Sequence, residues 1–211
     1  MMRVTRGRGR PLKNEIDTAE AIMASALPIF ADKGFDAANL REIAEAAGVN
    51  MALVSYNFGS KLDLWKRIVE AIGFRIEETQ AALTGTTGSN DSGAALRAAM
   101  SAYISLMSAR PDVARFMMRD IDHESERAQW IYEHVTRRLL DQFLPLIERA
   151  RSDRAIRTGH PEMAFMQFSL GTAACILRRV RLAQGSPEYS DDDSFRVALH
   201  ETFVEPLFHD D

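Results

Sequence analysis

Cysteine is almost absent: Cys175 is the only one in 211 residues. A lone cysteine cannot close an intrachain disulfide or build a cysteine metal cluster, which fits a cytoplasmic protein. Its apolar surroundings read as those of a buried, inert thiol, with a redox sensor as the rival reading. Long apolar runs are absent too. None approaches the roughly 20 residues that span a bilayer, so no membrane segment is expected. The N-terminus is basic, but no apolar segment follows it, so it does not read as a secretory signal. The five histidines, His123, His134, His160, His200 and His209, form no H-E-x-x-H or similar metal spacing. His123-Glu124 reads as a cap or surface pair, with a metal site as the alternative. There is no glycine-rich phosphate loop and no nucleophile elbow. These absences exclude the common enzyme classes and imply no cofactor. Strand-type alternation and internal repeats are missing as well, leaving an all-α chain of about nine helices.

What is present is a soluble, globular composition, 46% hydrophobic and 27% charged, long enough to bury a real core. The net charge of -4 alone would argue against a nucleic-acid partner. Its distribution argues otherwise. Residues 1–75 hold 11 Lys/Arg and 9 Asp/Glu, a net of +2, and residues 76–211 hold 15 and 21, a net of -6. A basic N-terminal module on an acidic body suits a protein that meets phosphates with one end only.

The stretch Leu40–Leu64, LREIAEAAGVNMALVSYNFGSKLDL, has the spacing of a short helix, a tight turn, a second short helix and the capped start of a third. Leu40, Ile43, Ala44 and Ala47 share one face. Gly48 stands where a helix end needs left-handed backbone angles. Asn50 is an N-cap for the next helix. Leu53, Val54 and Phe58 face inward, leaving Met51, Ala52, Ser55 and Tyr56 outward. Ser60-Lys61-Leu62-Asp63 is a capping box that opens the following helix. Two small helices of an ordinary bundle are the bland alternative, but the layout is that of a helix-turn-helix with its second helix in a DNA groove.

Residues 18–69 resemble the DNA-binding domain of TetR/AcrR-type transcriptional regulators. Ala26-Leu27, Phe30, Lys33-Gly34-Phe35, Leu40-Arg41-Glu42-Ile43-Ala44, Ala47-Gly48-Val49, Tyr56, Phe58, Gly59-Ser60-Lys61 and Leu64 carry the resemblance. It implies a DNA-facing set of Asn39, Arg41, Asn50, Met51, Ala52, Ser55, Tyr56 and Lys61. Arg41 suits the O6 and N7 of guanine, against a surface ion pair with Glu45. Lys61 would bring a charge to a phosphate at a helix N-terminus. The second helix departs from the family pattern. Ala52-Leu53-Val54-Ser55 replaces the frequent Gly-Thr-Leu-Tyr, and Met51 replaces a polar residue. Few hydrogen-bonding groups remain to read bases, so phosphate contacts and DNA shape carry much of the specificity.

Residues 1–15 form a basic arm before a DNA-binding domain at 16–62 and a helical effector-binding and dimerisation domain at 63–211. In the arm, Arg8-Gly9-Arg10-Pro11 resembles an AT-hook core, with Arg8 and Arg10 directed at a narrow minor groove. A basic tail of non-specific attraction is the alternative.

The helices are expected at 17–33 with Pro28 inside, then at the two short segments, then from Ser60 to about Leu83. After a polar break at 84–93 come 94–109, 111–121, 124–152 bent at Pro145, 161–184 and 192–209. Met100, Tyr103, Met107, Phe116, Met117, Trp130 and Phe143 are candidates to line a deformable apolar pocket, each singly also readable as core. The resemblance implies a small apolar or aromatic effector there. The last two helices are apolar on more than one face, and the resemblance implies a homodimer built on them. The chain therefore reads as a ligand-responsive repressor that binds a palindrome in double-stranded DNA. An architectural DNA-binding protein without effector is the alternative.

Overall fold

Short polar residues open the helices of this chain. In the computed structural model, which describes residues 13–84, 91–120 and 124–209, and side chains from 18–79, 91–120 and 124–209, Asn39, Asn50, Asp91, Ser125 and Asp191 each accept an amide hydrogen bond in the first turn that follows. Each thereby satisfies a donor that the helix itself cannot. The result is α1 (Lys13–Ala37), α2 (Leu40–Ala46), α3 (Met51–Phe58), α4 (Lys61–Thr84), α5 (Ser92–Ala109), α6 (Pro111–Met118), α7 (Glu126–Ile131), α8 (Arg137–Ser152), α9 (Pro161–Gly185) and α10 (Asp192–Phe203). A π-helical turn, Tyr132–Thr136, joins α7 to α8. The two then form one continuous rod, and the described residues fold as nine rods with no strand, as the all-α reading requires.

Pro28 lies inside α1 without ending it, and the helix breaks at Gly34, with φ 79°, where the expected helix 17–33 closes. Other irregularities fall where the sequence did not put them. α1 begins at Lys13, inside the stretch expected to be arm. Pro145 sits within α8, which runs unbroken from Arg137 to Ser152. The 124–152 rod is instead deformed at the π turn, and a neighbour explains why. A Cβ placed on Gly73 of α4 would lie 2.1 Å from the His134 carbonyl oxygen, so α4 and the π turn touch backbone to backbone. The His134 ring stacks on Trp130 at 4.1 Å, and its Nδ1 lies 3.0 Å from the Trp130 carbonyl. The last helix stops at Phe203. Pro206 sits in the 3₁₀ turn Glu205–Leu207 that follows, and the chain returns to pair Phe208 with Ile156. The expected break at 84–93 lies mostly outside the described residues, as do Ile121 and His123.

One hydrophobic core runs from Ile22 of α1 to Phe208. Phe30, Phe35, Trp65 and Phe116 form an aromatic cluster that ties α1 and α4 to α6, with centroids 5.5–6.4 Å apart. A second cluster, Tyr103, Phe143, Phe165 and Phe168, binds α5, α8 and α9. Burying one such ring stabilises by roughly 1.5–3 kcal/mol, so the first cluster is a firm joint between the N-terminal helices and the body.

Candidate nucleic-acid interface and effector cavity

The helix-turn-helix is built by local chemistry. Ile43 and Ala44 on α2 and Val54 and Phe58 on α3 are buried. Gly48 takes φ +66° in the turn between them, where the Val49 amide reaches back to the Ala44 carbonyl at 2.9 Å. A side chain is strained at that angle, which is the reason for glycine. Phe58 and Val54 hold α3 from behind, and Met51, Ala52, Ser55 and Tyr56 are left facing solvent.

Those residues are the ones the sequence singled out. Tyr56 is 75% exposed and Met51 36%, and Ala52 and Ser55 are exposed beside them. Asn39 and Asn50 are exposed, and each uses Oδ1 to cap a helix at 2.9 Å, from Arg41 N and Leu53 N. Their side-chain NH₂ groups remain as donors to an anion. The Arg41 guanidinium is exposed, and among the described residues it makes no ion pair with Glu45 or any other acid. The acid of α2 that is paired is Glu42, which holds Lys33 at 2.7 Å and fastens α1 to α2. The capping box forms as read, with Asp63 N donating to Ser60 Oγ at 3.1 Å and Ser60 Oγ donating to Asp63 Oδ2 at 2.6 Å.

The Lys61 ammonium turns inward and donates to the carbonyls of Asp36 at 3.1 Å and Ala38 at 3.0 Å, over the Phe35 ring at 4.7 Å. It ties the start of α4 to the end of α1. Arg8 and Arg10 lie outside the described residues.

Within the body, a cavity of about 60 Å³ lies between α4, α5, α6, the π turn, α8 and α9. Of the seven pocket candidates, Tyr103, Met107 and Met117 line it. The other four do not. Phe116 is in the joint with α1 and α4. Trp130 lies beneath the Lys66 ammonium at 4.2 Å and against His134. Phe143 stands behind the wall, packed on Tyr103 and Phe165, and Met100 is buried in the core. The wall instead takes Ile72 and Ile76 from α4, Met118 from α6 and Met166 from α9. The four-residue spacing of Ile72 and Ile76 signalled a buried face of α4, but a buried face alone does not say which void it borders.

The cavity and the DNA-facing helices share two elements. α4 presents Ile72 and Ile76 to the cavity and, toward its start, packs Trp65 on Phe35 and Phe116. α6 presents Val113, Ala114 and Met117 to the cavity, while Arg119 just past its end donates to the Ala31 carbonyl at 2.5 Å and to the Asp32 carbonyl, and Arg115 pairs with Asp32 at 2.9 Å. Lys66 of α4 pairs with Glu126 of α7 at 2.6 Å.

At the far end, α9 and α10 leave Met163 70%, Val180 80% and Val197 55% exposed. Gly171 of α9 packs against the Phe203 ring. Arg179 donates to the Tyr189 and Ser190 carbonyls and to Asp192, at 2.7, 2.8 and 2.5 Å, so it shapes the turn between these helices. Cys175 is half-buried, and burial pushes its thiol above the ordinary range. His200 is held between Ser101 and Glu205. Among the described residues no three His, Cys, Asp or Glu gather as a metal site, and no helix is long and apolar enough to cross a membrane.

Comparison with known proteins gives the same reading of the N-terminal helices. Residues 22–68 match the family model of bacterial regulatory proteins of the tetR family. The chain is 40% identical over 55 residues to the probable HTH-type transcriptional regulator YttP of Bacillus subtilis, covering 26% of this chain and 27% of that protein. It is 27% identical over 128 residues to the HTH-type transcriptional activator FasR of Mycolicibacterium smegmatis, covering 60% and 50%. It therefore spans half or less of the length of these curated relatives. Among solved structures, the transcriptional regulator FadR from Bacillus subtilis in complex with stearoyl-CoA superposes with a TM-score of 0.65 at 17% identity, over 89% of this chain and 98% of that one. At that identity the likeness speaks for the fold. The turn chemistry, the exposed face of α3 and the matched residues agree: residues 22–68 form a helix-turn-helix like the DNA-binding domain of the tetR family of bacterial regulatory proteins.

Proposed function

We propose that this protein is a cytoplasmic, ligand-responsive repressor that binds a palindromic operator as a homodimer and is released by a small apolar or aromatic effector. The observation that carries the reading is the sharing of α4 and α6 between the cavity and the joint with α1. Residues 16–62 serve as the DNA-binding unit and 63–211 as the effector and dimer unit. The DNA-facing set is Asn39, Arg41, Asn50, Met51, Ala52, Ser55 and Tyr56, with Arg8 and Arg10 of the arm in the minor groove. α9 and α10 supply the dimer contact, and their exposed Met163, Val180 and Val197 support that assignment. Dimerisation sets two recognition helices against successive major grooves, roughly 34 Å apart.

At about 60 Å³ the cavity is well below the roughly 300–1,000 Å³ of a typical ligand site. A ligand must therefore enlarge it, and Met107, Met117, Met118 and Met166 are side chains that repack readily. Enlargement moves α4 or α6 relative to α8 and α9, and both carry the helix-turn-helix with them. A ligand that prefers the enlarged form then shifts the population away from the DNA-binding form. That the solved FadR structure holds stearoyl-CoA, whose acyl chain is a long hydrocarbon, supports binding of an apolar chain in this fold. The same small volume favours one rival, an architectural DNA-binding protein with a closed core. Selection of bound duplexes from random DNA, repeated with lipophilic metabolites, separates the two. The regulator yields one palindrome that a ligand releases, whereas sequence-blind binding that no ligand changes would overturn it. A promoter–reporter fusion to that palindrome fixes the sense of regulation, with deletion of the gene raising expression.

A further inference from the structure

None of the residues lining the cavity is charged. Its wall is made of aliphatic, methionine and phenylalanine side chains, and the hydroxyl-bearing residues among them are Tyr103, Thr136 and Ser169. An ionised group entering such a site would lose its water and find no counter-charge, at a cost of several kcal/mol. A neutral molecule meets no such penalty.

The three hydroxyls are not equivalent. Ser169 Oγ donates to the Met166 carbonyl of its own helix at 3.4 Å. Thr136 is half-buried and keeps access to water. Tyr103 is 5% exposed, and among the described residues its hydroxyl has no hydrogen-bond partner. Tyr103 lines the cavity, and phenylalanine would fill nearly the same volume, so packing gives no reason for the hydroxyl, which stands as a spare donor at the cavity wall. Burial also pushes the Tyr103 phenol above its ordinary range, so it stays protonated and remains a donor. Phe143 and Phe168 hold its ring from the core side, at 6.2 and 5.2 Å.

We infer that the ligand of this cavity is an electrically neutral, mostly apolar molecule carrying one hydrogen-bond acceptor, and that the Tyr103 hydroxyl is the group that recognises that acceptor. The inference rests on the cavity being the effector site. It narrows the ligand class: a carbonyl, ether or ester oxygen on an apolar frame fits, whereas a free carboxylate or phosphate does not enter.

Three probes of similar size test it by calorimetry on the full-length protein: acetophenone, neutral with one acceptor; ethylbenzene, neutral with none; and benzoate, charged. The expected order is acetophenone about tenfold tighter than ethylbenzene, with benzoate weakest. In Tyr103→Phe the two neutral probes become equal, while the unliganded protein melts at the same temperature or higher. A purely structural tyrosine would not change probe preference. If all three bind with equal affinity, or if the acetophenone preference survives Tyr103→Phe and is lost in Thr136→Val, this inference is overturned and the effector cavity stands. If none of the three binds, the effector cavity falls and the inference falls with it.

Discussion

Replacing Gly73 with alanine should destabilise the protein, although alanine is the better helix former. Gly73 lies within α4, where the exchange alone favours alanine by about 1 kcal/mol. The structure opposes that gain. The new Cβ would lie 2.1 Å from the His134 carbonyl oxygen and 3.3 Å from its carbon. The oxygen is backbone and cannot rotate away, so α4 and the π turn must separate by about 1 Å to restore ordinary contact. Forced overpacking of this kind costs about 1–3 kcal/mol, more when backbone moves. The expected net loss is up to about 2 kcal/mol, and at about 2–4 °C per kcal/mol for a chain of this size the melting temperature falls by up to roughly 8 °C. Differential scanning calorimetry reads it. Because α4 also carries the helix-turn-helix, operator affinity should fall alongside. A variant that melts higher than the parent, showing the propensity gain alone, would refute the close contact and with it the account of the π turn.

Other outcomes follow from single side chains. Arg41→Ala should cost about 1–3 kcal/mol of operator binding with no change in melting, since the guanidinium has no ion pair to lose among the described residues. Lys61→Met keeps the apolar stem over Phe35 but removes the donations to Asp36 and Ala38. It should lower stability by about 1 kcal/mol and weaken DNA binding while leaving the salt dependence unchanged, whereas a phosphate contact would lower the slope by about one unit. Arg119→Ala uncaps the Ala31 and Asp32 carbonyls and should reduce the ligand's effect on DNA binding more than it reduces either affinity. Val197→Asp puts charge on the exposed face of α10 and should shift the sedimentation profile from dimer to monomer.

How much of this could be read without coordinates depended on how local each cause was. Asn39, Asn50, Gly48 and the Ser60–Asp63 box act on amides within a few residues, and the sequence located them. The outward face of α3 followed from the spacing of Val54 and Phe58. The inward contacts of Lys61 were not legible because its acceptors lie 25 and 23 residues upstream. The π turn was invisible because its cause, Gly73, belongs to another helix. The cavity was half legible. Composition marked the methionine-rich region, but Phe116 and Phe143 are as apolar as the lining residues, and only packing decides that one joins α6 to α1 and the other stands behind the wall. Ile72 and Ile76 were passed over because their spacing marks a buried face of α4 without saying which void that face borders.

The reading as a ligand-released DNA-binding dimer is tested most directly by measuring operator affinity at rising concentrations of a ligand already shown by calorimetry to occupy the cavity. The account predicts that the operator dissociation constant rises with ligand to a plateau, and that saturating operator weakens the ligand by the same factor, because coupling between two sites is reciprocal. A ligand that fills the cavity and leaves operator affinity unchanged would contradict it.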